Sequence, residues 1–491
     1  MGASRDEVDR LKTLGPVAWL DAQFAAPATM PRLTQMNTGL GNFDASVLFK
    51  AVTSPDTLRQ RITLMLSEIF VVSVTALPSN NNGNHWGGVT YFDLLEANAF
   101  GNVRTLLREI STSSAMGYFL TFINKEKANP VTGSHPDENY ARELMQLFTL
   151  GVVKLNQDGT PILNNGVVQD TYTQNDVENL ARIFTGWIGD TRTLLPIVPG
   201  DFPLKHIQSR PMIQDPVKHE TGASTFLGAT VPAGLSGEAA LDRALDIIFN
   251  HPNVAPFLSK QFIKKLVTSN PSPAYVGRVA AVFKNDGNGV AGNLTAIVKA
   301  ILLDTEALQL PAGTAANTAG KLREPFLRLM AWARAASAYS SDGSWVMVGL
   351  GDAGGLGQVP GRATSVFNFF RPDYVPPNTG IANAGLVGPE FQMVNETSVI
   401  NYYNTMDRIF SGGFPLRSDY THFLPLAADA QKLVEEINTL MAAGQLRPET
   451  VTQIVDAIAS MPPGPSEAPL RYRVYNAFTL VAMSPDFLIQ K

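Results

Sequence analysis

The clearest alternation of apolar and polar positions in the chain lies between Ser134 and Val152, in the stretch SHPDENYARELMQLFTLGV. At about 100° per residue, apolar side chains fall on one side of a helix and ionisable side chains on the other. The apolar side comprises Tyr140, Ala141, Leu144, Met145, Leu147 and Phe148, and the polar side comprises Glu138, Asn139, Arg142, Glu143 and Gln146. The pattern predicts an amphipathic helix, and we place the candidate functional site on its polar face.

The ends of this helix are also predicted by local residues. Ser134 followed three residues later by Asp137 forms a capping-box pattern, and Pro136 suits a first helical turn. Gly151 predicts the stop, because glycine readily adopts the backbone conformation that ends a helix. We therefore expect the helix to begin just after Ser134.

The rest of the chain alternates further helical patterns with turn-rich segments. Residues 153–173 contain Asp-Gly and Asn-Gly turns between short β-prone pieces, which predicts a small β-hairpin or meander. Thr173 and Asp176 form a second capping-box pattern. Residues 77–90, rich in Asn and Gly, are expected to form a loop rather than a helix. Long loops are expected over 188–235 and 341–397.

These patterns predict a mainly α fold, a multi-helix globular array with long ordered loops and one small β-hairpin or meander near 153–173. We expect a single large α-helical domain over residues 1–491. The alternative is a subdivision into an N-terminal helical half, 1–190, which carries the motif helix, and a C-terminal helical half, 191–491.

Composition excludes several classes of partner and chemistry. The net charge is −5 and no basic run occurs, which argues against a nucleic-acid partner. No stretch approaches the roughly 20 apolar residues of a membrane span. Cysteine is absent, which excludes thiol catalysis and disulfides and suits an exported protein. The opening MGASRDEVDRL has no signal-peptide character, so the protein is either cytosolic or has lost a leader.

Common catalytic signatures are missing from the sequence. The histidines at 85, 135, 206, 219, 251 and 422 include no His-x-x-x-His pair. The sequence contains no P-loop, no dinucleotide-binding glycine pattern after a strand and no Gly-x-Ser-x-Gly elbow. We expect no cofactor and no metal, although His206 and His219 could bind one ion through a fold-back of the chain.

Two interpretations of the polar face follow from the residues alone. In the first, Glu138 and Arg142 are a solvated i,i+4 pair that adds a few tenths of a kcal/mol to helix stability. In the second, Glu138, Glu143, Arg142 and His135 line a cleft, where they share protons or bind an anionic or polyhydroxyl ligand.

Several segments resemble the bacterial domain of unknown function 1800 family, especially its longer members. The segments are 58–73, 99–111, 115–120, 136–152, 155–160, 172–187, 365–377 and 384–397. The resemblance covers nearly the whole chain. It implies a mostly α-helical protein that is usually exported and is commonly encoded beside a sulfatase-like protein. It implies no settled activity.

Polar residues in these segments complete the candidate site. The candidate catalytic residues are Glu138, Glu143, Asp137, Arg142, His135 and His219, and the candidate ligand-binding residues are Asn139, Trp86, Arg182, Trp187, Arg371, Asp373 and Glu390. A helical shell whose loops carry acids, arginine and aromatic residues is a plausible cleft for a polar ligand. The alternative is a structural ion network, in which Arg142 and Arg182 fix long loops onto the helices.

The leading hypothesis is an extracytoplasmic carbohydrate-active enzyme, periplasmic or secreted, that hydrolyses glycosidic bonds. Glu138 or Glu143 would be the general acid, and Asp137, Asp373 or Glu390 the second carboxylate. Trp86 and Trp187 would stack on sugar rings. A polysaccharide lyase variant would use His219 or a tyrosine as base and Arg142 to neutralise a uronate.

Two alternatives belong to other classes. One is a non-catalytic envelope protein that binds a glycan, or the sulfatase-like partner, through the loops. The other is a metal-dependent hydrolase that uses His135 or His219 with the acids.

Overall fold

The computed structural model describes residues 1–192, 203–309, 319–346 and 355–491. Parts of the two long loops expected over 188–235 and 341–397 therefore lie outside the described residues. Within the described residues the chain is mainly α-helical, as predicted.

Helices dominate the first part of the chain. They are α1 (Arg5–Ala25), α2 (Arg32–Asn37), α3 (Phe43–Thr53), α4 (Thr57–Ile69), α5 (Gly83–Ala97), α6 (Val103–Thr112), α7 (Ser114–Phe119), α8 (Asn139–Gln146) and α9 (Gln174–Ala181). A 3-10 turn, Arg182–Phe184, continues directly from α9.

The remainder of the chain is also helical. Its helices are α10 (Pro203–Gln208), α11 (Gly237–Phe249), α12 (Val254–Leu266), α13 (Pro273–Lys284), α14 (Leu294–Leu302), α15 (Thr305–Leu308), α16 (Pro325–Ala335), α17 (Gly380–Asn383), α18 (Glu396–Phe410), α19 (Ala430–Ala442), α20 (Pro448–Ala459), α21 (Glu467–Met483) and α22 (Pro485–Leu488).

The β structure consists of short antiparallel pairs. The strands are β1 (Leu163–Asn164), β2 (Val167–Val168), β3 (Trp187–Ile188), β4 (Ile213–Gln214), β5 (Ser224–Phe226), β6 (Ala229–Val231), β7 (Lys321–Leu322), β8 (Tyr339–Ser340), β9 (Leu416–Arg417) and β10 (Ile489–Gln490). The pairs are β1–β2, β3–β4, β5–β6, β7–β10 and β8–β9. β1 and β2 form the hairpin predicted within 153–173, and its turn residues Asn165 and Gly166 both have positive φ.

A continuous cluster of buried apolar side chains extends from Leu20 to Phe487. Helices from both sides of residue 190 pack against each other: α3 contacts α16, α4 contacts α12, and α6 contacts α11. Among the described residues, no helix combines the length and the apolar character needed to cross a bilayer.

The prediction of a loop over 77–90 was wrong, because α5 begins at Gly83 and includes His85 to Gly88. The glycines that suggested a loop serve close helix packing instead. A Cβ on Gly88 would lie 2.6 Å from Val74 Cγ2, and one on Gly87 would lie 2.1 Å from Gln208 Oε1. Tertiary packing therefore outweighs the low helix propensity of glycine at these positions.

The predicted start of the motif helix was also wrong. α8 begins at Asn139, and Ser134 lies outside it, where its carbonyl accepts a hydrogen bond from the Asn129 N–H. Asp137 Oδ1 instead accepts from the Asn139 N–H at 3.0 Å. The local turn formed by Asp137 thus replaces the capping box expected at Ser134. The second capping box, Thr173 with Asp176, starts α9 as predicted.

Candidate functional site

The apolar face of α8 is buried as its spacing predicts. Tyr140, Ala141, Leu144 and Met145 are all buried. The Tyr140 ring stacks on Phe122 with 4.4 Å between centroids, and the Tyr140 hydroxyl lies 2.7 Å from Ser111 Oγ. These contacts fix the rotation of α8 and turn its polar residues towards α9.

The N-terminal end of α8 meets the start of α9 through three polar side chains. Arg142 Nη2 donates to Glu138 Oε2 at 2.8 Å and to Gln174 Oε1 at 3.0 Å. Gln174 Nε2 in turn donates to Glu138 Oε2 at 2.9 Å. Glu138 and Arg142 keep 35% and 38% of their side chains exposed, so this pair lies at the surface of the fold.

A polar cavity of about 460 Å³ lies beside this contact, and we name it the α8–α9 pocket. Its residues are Ala128, His135, Pro136, Glu138, Asn175, Glu178, Asn179, Arg182 and Glu220. Four of these, at 175, 178, 179 and 182, follow the i, i+3, i+4, i+7 spacing of one helix face. α9 and the turn after it therefore supply one wall, and the segment that leads into α8 supplies part of the other.

Two carboxylates in this pocket are joined through one amide. Gln174 Nε2 donates to Glu178 Oε1 at 3.1 Å as well as to Glu138 Oε2 at 2.9 Å. The two carboxylate oxygens are therefore at most about 6 Å apart, an upper limit that admits the roughly 5–5.5 Å between the carboxyl groups of retaining glycosidases. The structure thus provides a carboxylate pair beside an accessible cavity.

Arg182 places a cation on the same wall. Its Nη1 donates to the Ala223 carbonyl at 2.9 Å, and its Nη2 lies 3.6 Å from Glu220 Oε1. A Cβ on Gly222 would lie 2.5 Å from Arg182 Nη2, so glycine at 222 leaves the guanidinium its space. Arg182 therefore both fixes the turn before β5 and faces the pocket.

Of the predicted site residues, the structure brings His135, Glu138 and Arg182 together in the α8–α9 pocket. Glu178, Asn175 and Asn179 also line the pocket and were not predicted. Their helical spacing with Arg182 was the signal that could have identified them. Arg142 borders the pocket only through its contacts with Glu138 and Gln174.

Three other residues predicted in or beside the motif helix do not line the α8–α9 pocket. Asp137 Oδ2 accepts from Thr121 Oγ1 at 3.0 Å and lies 3.6 Å from Lys125 Nζ. Asn139 is exposed and lies 3.4 Å from the same Thr121 hydroxyl. Glu143 is half-buried, and its Oε2 has no hydrogen-bond partner within the described ranges. Burial raises the pKa of Glu143, although nearby Arg142 opposes the shift.

Of the two predicted aromatic platforms and the predicted base, Trp187 and His219 are buried, and Trp86 is only partly exposed. Trp187 is fully buried, so it presents no ring face to a sugar. Trp86 lies on α5 with Lys205 Nζ over its ring at 4.3 Å. His219 is 1% exposed, its Nδ1 lies 3.1 Å from the Thr185 carbonyl, and burial lowers its pKa. A proton-abstracting role for His219 is therefore not compatible with this geometry.

The predicted residues of the late loop lie elsewhere. Arg371 and Asp373 border a separate cavity, described below. Glu390 is 2% exposed and lies 3.1 Å from Lys321 Nζ. Neither Asp373 nor Glu390 lines the α8–α9 pocket, so neither is placed to act as the second carboxylate to Glu138. The described residues contain no cluster of three or more His, Asp or Glu side chains suited to a metal ion.

The chain matches a known protein family over nearly its whole length. A family model described as "Protein of unknown function (DUF1800)" matches residues 1–489. No curated protein and no solved structure matches the chain.

Proposed function

Because the chain belongs to the DUF1800 family, whose description names no activity, we propose a function from the α8–α9 pocket: the protein is an extracytoplasmic carbohydrate-active enzyme that hydrolyses glycosidic bonds. One observation carries the proposal. Glu138 and Glu178, at most about 6 Å apart at their linked oxygens, border a polar cavity large enough for a sugar unit.

The hydrogen bonds around the two carboxylates suggest different roles for them. Glu138 accepts from a guanidinium and from an amide, which stabilise a negative charge and suit a nucleophile. Glu178 accepts only the neutral Gln174 amide among the hydrogen bonds described here, which suits a general acid that protonates the leaving oxygen. Water then hydrolyses the glycosyl–Glu138 intermediate, with Glu178 acting as base, and the product retains its configuration.

Substrate binding in this proposal uses the remaining side chains of the pocket. Asn175 and Asn179 carry amides that both donate and accept, which suits sugar hydroxyls. Arg182 supplies a cation for an acidic or electron-rich substituent. The ligand expected from this lining is a polysaccharide or another polar molecule, in agreement with the net charge of −5, which disfavours nucleic acid.

The test is product formation from a panel of polysaccharides and glycosides by the full chain. We expect Glu138→Gln and Glu178→Gln each to lower kcat by about 10²- to 10⁴-fold, because each removes an ionisable group from the reaction. Nuclear magnetic resonance of the first-formed anomer is expected to show retention.

Glu467→Gln is the matched control. Glu467 forms an i,i+4 pair with Arg471 on α21, as Glu138 does with Arg142 of α8. The substitution Glu467→Gln should leave kcat unchanged. Turnover by the wild type that persists in both Glu138→Gln and Glu178→Gln would reject the carboxylate assignment.

A second candidate function is a non-catalytic envelope protein that binds the sulfatase-like protein implied by the family resemblance. The observation that favours it is the apolar β1–β2 hairpin, where Leu163 is 58% exposed, Val167 65% and Val168 44%. Exposed apolar patches often mark protein interaction sites. Co-purification with the sulfatase-like protein that is lost in Leu163→Ser and Val167→Ser would support it, and unchanged co-purification would reject this surface.

The proposed location is the periplasm or the extracellular space. The absence of cysteine is compatible with that location. Fractionation of the native host, with detection of the untagged protein, tests it. Recovery only with cytosolic markers would contradict the proposal.

A further inference from the structure

A second cavity, of about 530 Å³, lies at the opposite end of α8 from the polar pocket, and we name it the α12 cavity. It is bordered by the C-terminal ends of α4 and α8, by one face of α12, and by the loop 366–375. Its volume is in the range of small-molecule sites. Most of its walls are apolar, whereas the α8–α9 pocket is lined mainly by ionisable and amide side chains.

The face that α12 presents follows from helical spacing. Phe257, Gln261 and Lys265 are four residues apart and line the cavity in order. Gly151 has a positive φ of 72°, and a Cβ there would lie 2.7 Å from the Phe257 ring. Glycine at 151 therefore allows the turn after α8 to pack directly against Phe257. This contact builds one apolar wall of the cavity.

The deep part of the cavity contains an ion pair. Glu68 and Lys265 each have only 9% of their side chains exposed, and Lys265 Nζ lies 3.2 Å from Glu68 Oε2. Among the described residues, no hydrogen-bond donor is aligned with that oxygen. Lys265 Nζ also lies over the Phe370 ring, 4.0 Å from its centroid. Buried polar atoms without a hydrogen bond are uncommon in folded proteins, and Glu68 borders this cavity.

The outer part of the cavity carries a second cation. The Arg371 guanidinium carbon lies 5.4 Å from the centroid of the Phe367 ring. Asp373 is paired with Lys264 at 3.4 Å, whereas Arg371 forms no ion pair within the part of the chain that the structure describes. Arg371 is therefore an exposed cation at the cavity whose guanidinium is available to pair with a carboxylate ligand.

We propose that the α12 cavity binds a small organic acid. Its apolar or aromatic body would pack against Phe257, Leu147 and Val366, and its carboxylate would lie between Lys265 and Arg371. Each of the two cations lies over a phenylalanine ring of the loop 366–375: Lys265 over Phe370 and Arg371 over Phe367. Glu68 becomes a hydrogen-bond donor to the ligand when it carries a proton.

The experiment compares three probes of one shape on the full chain by calorimetric titration: 3-phenylpropionate, neutral 3-phenylpropanamide and cationic 3-phenylpropylamine. We expect the acid to bind at least about tenfold more tightly than either of the others, because only it pairs with the two cations. Lys265→Met and Arg371→Met should each weaken binding of the acid by about tenfold and leave the amide unchanged.

Lys260→Met is the matched control on the same helix. Lys260 lies outside the cavity and donates to the Gly159 carbonyl, so its removal should not change acid binding. Arg371 lies on the exposed rim, so Arg371→Met tests the proposal even if Lys265→Met does not fold. Absence of acid binding, equal binding of the three probes, tighter binding of the amine, or unchanged acid binding in Arg371→Met would each overturn the proposal.

Discussion

Glu68 is a buried acid placed between one cation and a second acid. Lys265 lies 3.2 Å from its Oε2, while Glu324 interacts with Lys321 at 3.6 Å and accepts from Gln358 Nε2 at 2.6 Å. Burial, and after it the charge of Glu324, raises the pKa of Glu68 above its usual 4.5. Lys321 and Lys265 keep the pKa of Glu324 low despite its burial. As the pH falls, Glu68 therefore takes up a proton before Glu324 does.

We predict that Glu68→Gln flattens the pH dependence of stability. The folded protein keeps a proton on Glu68 at pH values where the unfolded chain has released it. The free energy of unfolding contributed by this group therefore falls as pH rises from about 4.5 towards the raised pKa. Urea unfolding at intervals from pH 4.5 to 8 should show a shallower decline for Glu68→Gln than for the wild type.

Glu449→Gln serves as the control for this measurement, because Glu449 is exposed on α20. It should keep the wild-type slope. A Glu68→Gln protein with the wild-type slope would contradict the assignment of the proton to Glu68.

Single residues were predictable where the signal was local. Glu138 and Arg182 stand in periodic segments and do reach one cavity. Glu68 and Lys265 were not predicted, because nearly 200 residues separate them and only the packing of α4 on α12 brings them together. Sequence periodicity places a side chain on a face, but it does not identify the element that this face contacts.

At the scale of elements, α5 shows how packing changes the effect of a residue. Gly88 lies within the helix, where alanine would normally be favoured by about 1 kcal/mol. Its missing side chain allows Val74 and Phe43 to approach the helix backbone, with Phe43 Cδ2 2.8 Å from the position of a Cβ. The close approach therefore depends on glycine.

We predict that Gly88→Ala destabilises the protein despite the better helix propensity of alanine. The added methyl group overpacks the contact with Val74 and Phe43, and the expected net loss is about 1–3 kcal/mol. Thermal and urea unfolding measure it. Gly380→Ala in α17 is the control, because no atom lies within 4 Å of its added Cβ, and it should be neutral or slightly stabilising. Equal effects of the two substitutions would contradict the packing explanation.

Element boundaries were predictable where capping and turn residues acted locally. Thr173 with Asp176 and the turn at Asn165-Gly166 formed as expected. The predicted helix start at Ser134 was wrong because the Asn139 N–H donates a hydrogen bond to the Asp137 side chain instead. The prediction of a loop at 77–90 was wrong because Gly87 and Gly88 are required for close packing against residues distant in sequence, such as Gln208 and Phe43.

Across the whole molecule, Lys321 connects segments that are far apart in sequence. Its buried Nζ donates to the Lys265 carbonyl at 3.0 Å and lies 3.1 Å from Glu390 Oε1 and 3.6 Å from Glu324 Oε1. It therefore links α12, the start of α16 and the 3-10 turn Pro389–Met393. Such links fix the parts of the chain relative to one another.

We predict that Lys321→Met destabilises the protein by about 3–5 kcal/mol, because Glu324 and Glu390 would remain buried without this cation. Urea unfolding measures the loss. The double variant Lys321→Met with Glu390→Gln should recover part of it, since one uncompensated charge is removed.

Lys432→Met is the control for the Lys321 variant. Lys432 is exposed and pairs only with Asp429 among the ion pairs described, so the expected change is less than about 0.5 kcal/mol. A loss of similar size in both variants would show that the buried network contributes no more than a surface pair.

The two cavities lie at opposite ends of α8: Glu138, which directly precedes the helix, borders one, and Gln146, its last residue, borders the other. Eight residues of helix measure only about 12 Å. A substitution that displaces α8 is therefore expected to disturb both the α8–α9 pocket and the α12 cavity. Its effect on activity or binding would not identify which of the two was changed. An effect can be assigned to one cavity only by substituting a residue that is not on α8. Glu178 on α9 serves for the α8–α9 pocket, and Lys265 on α12 serves for the α12 cavity.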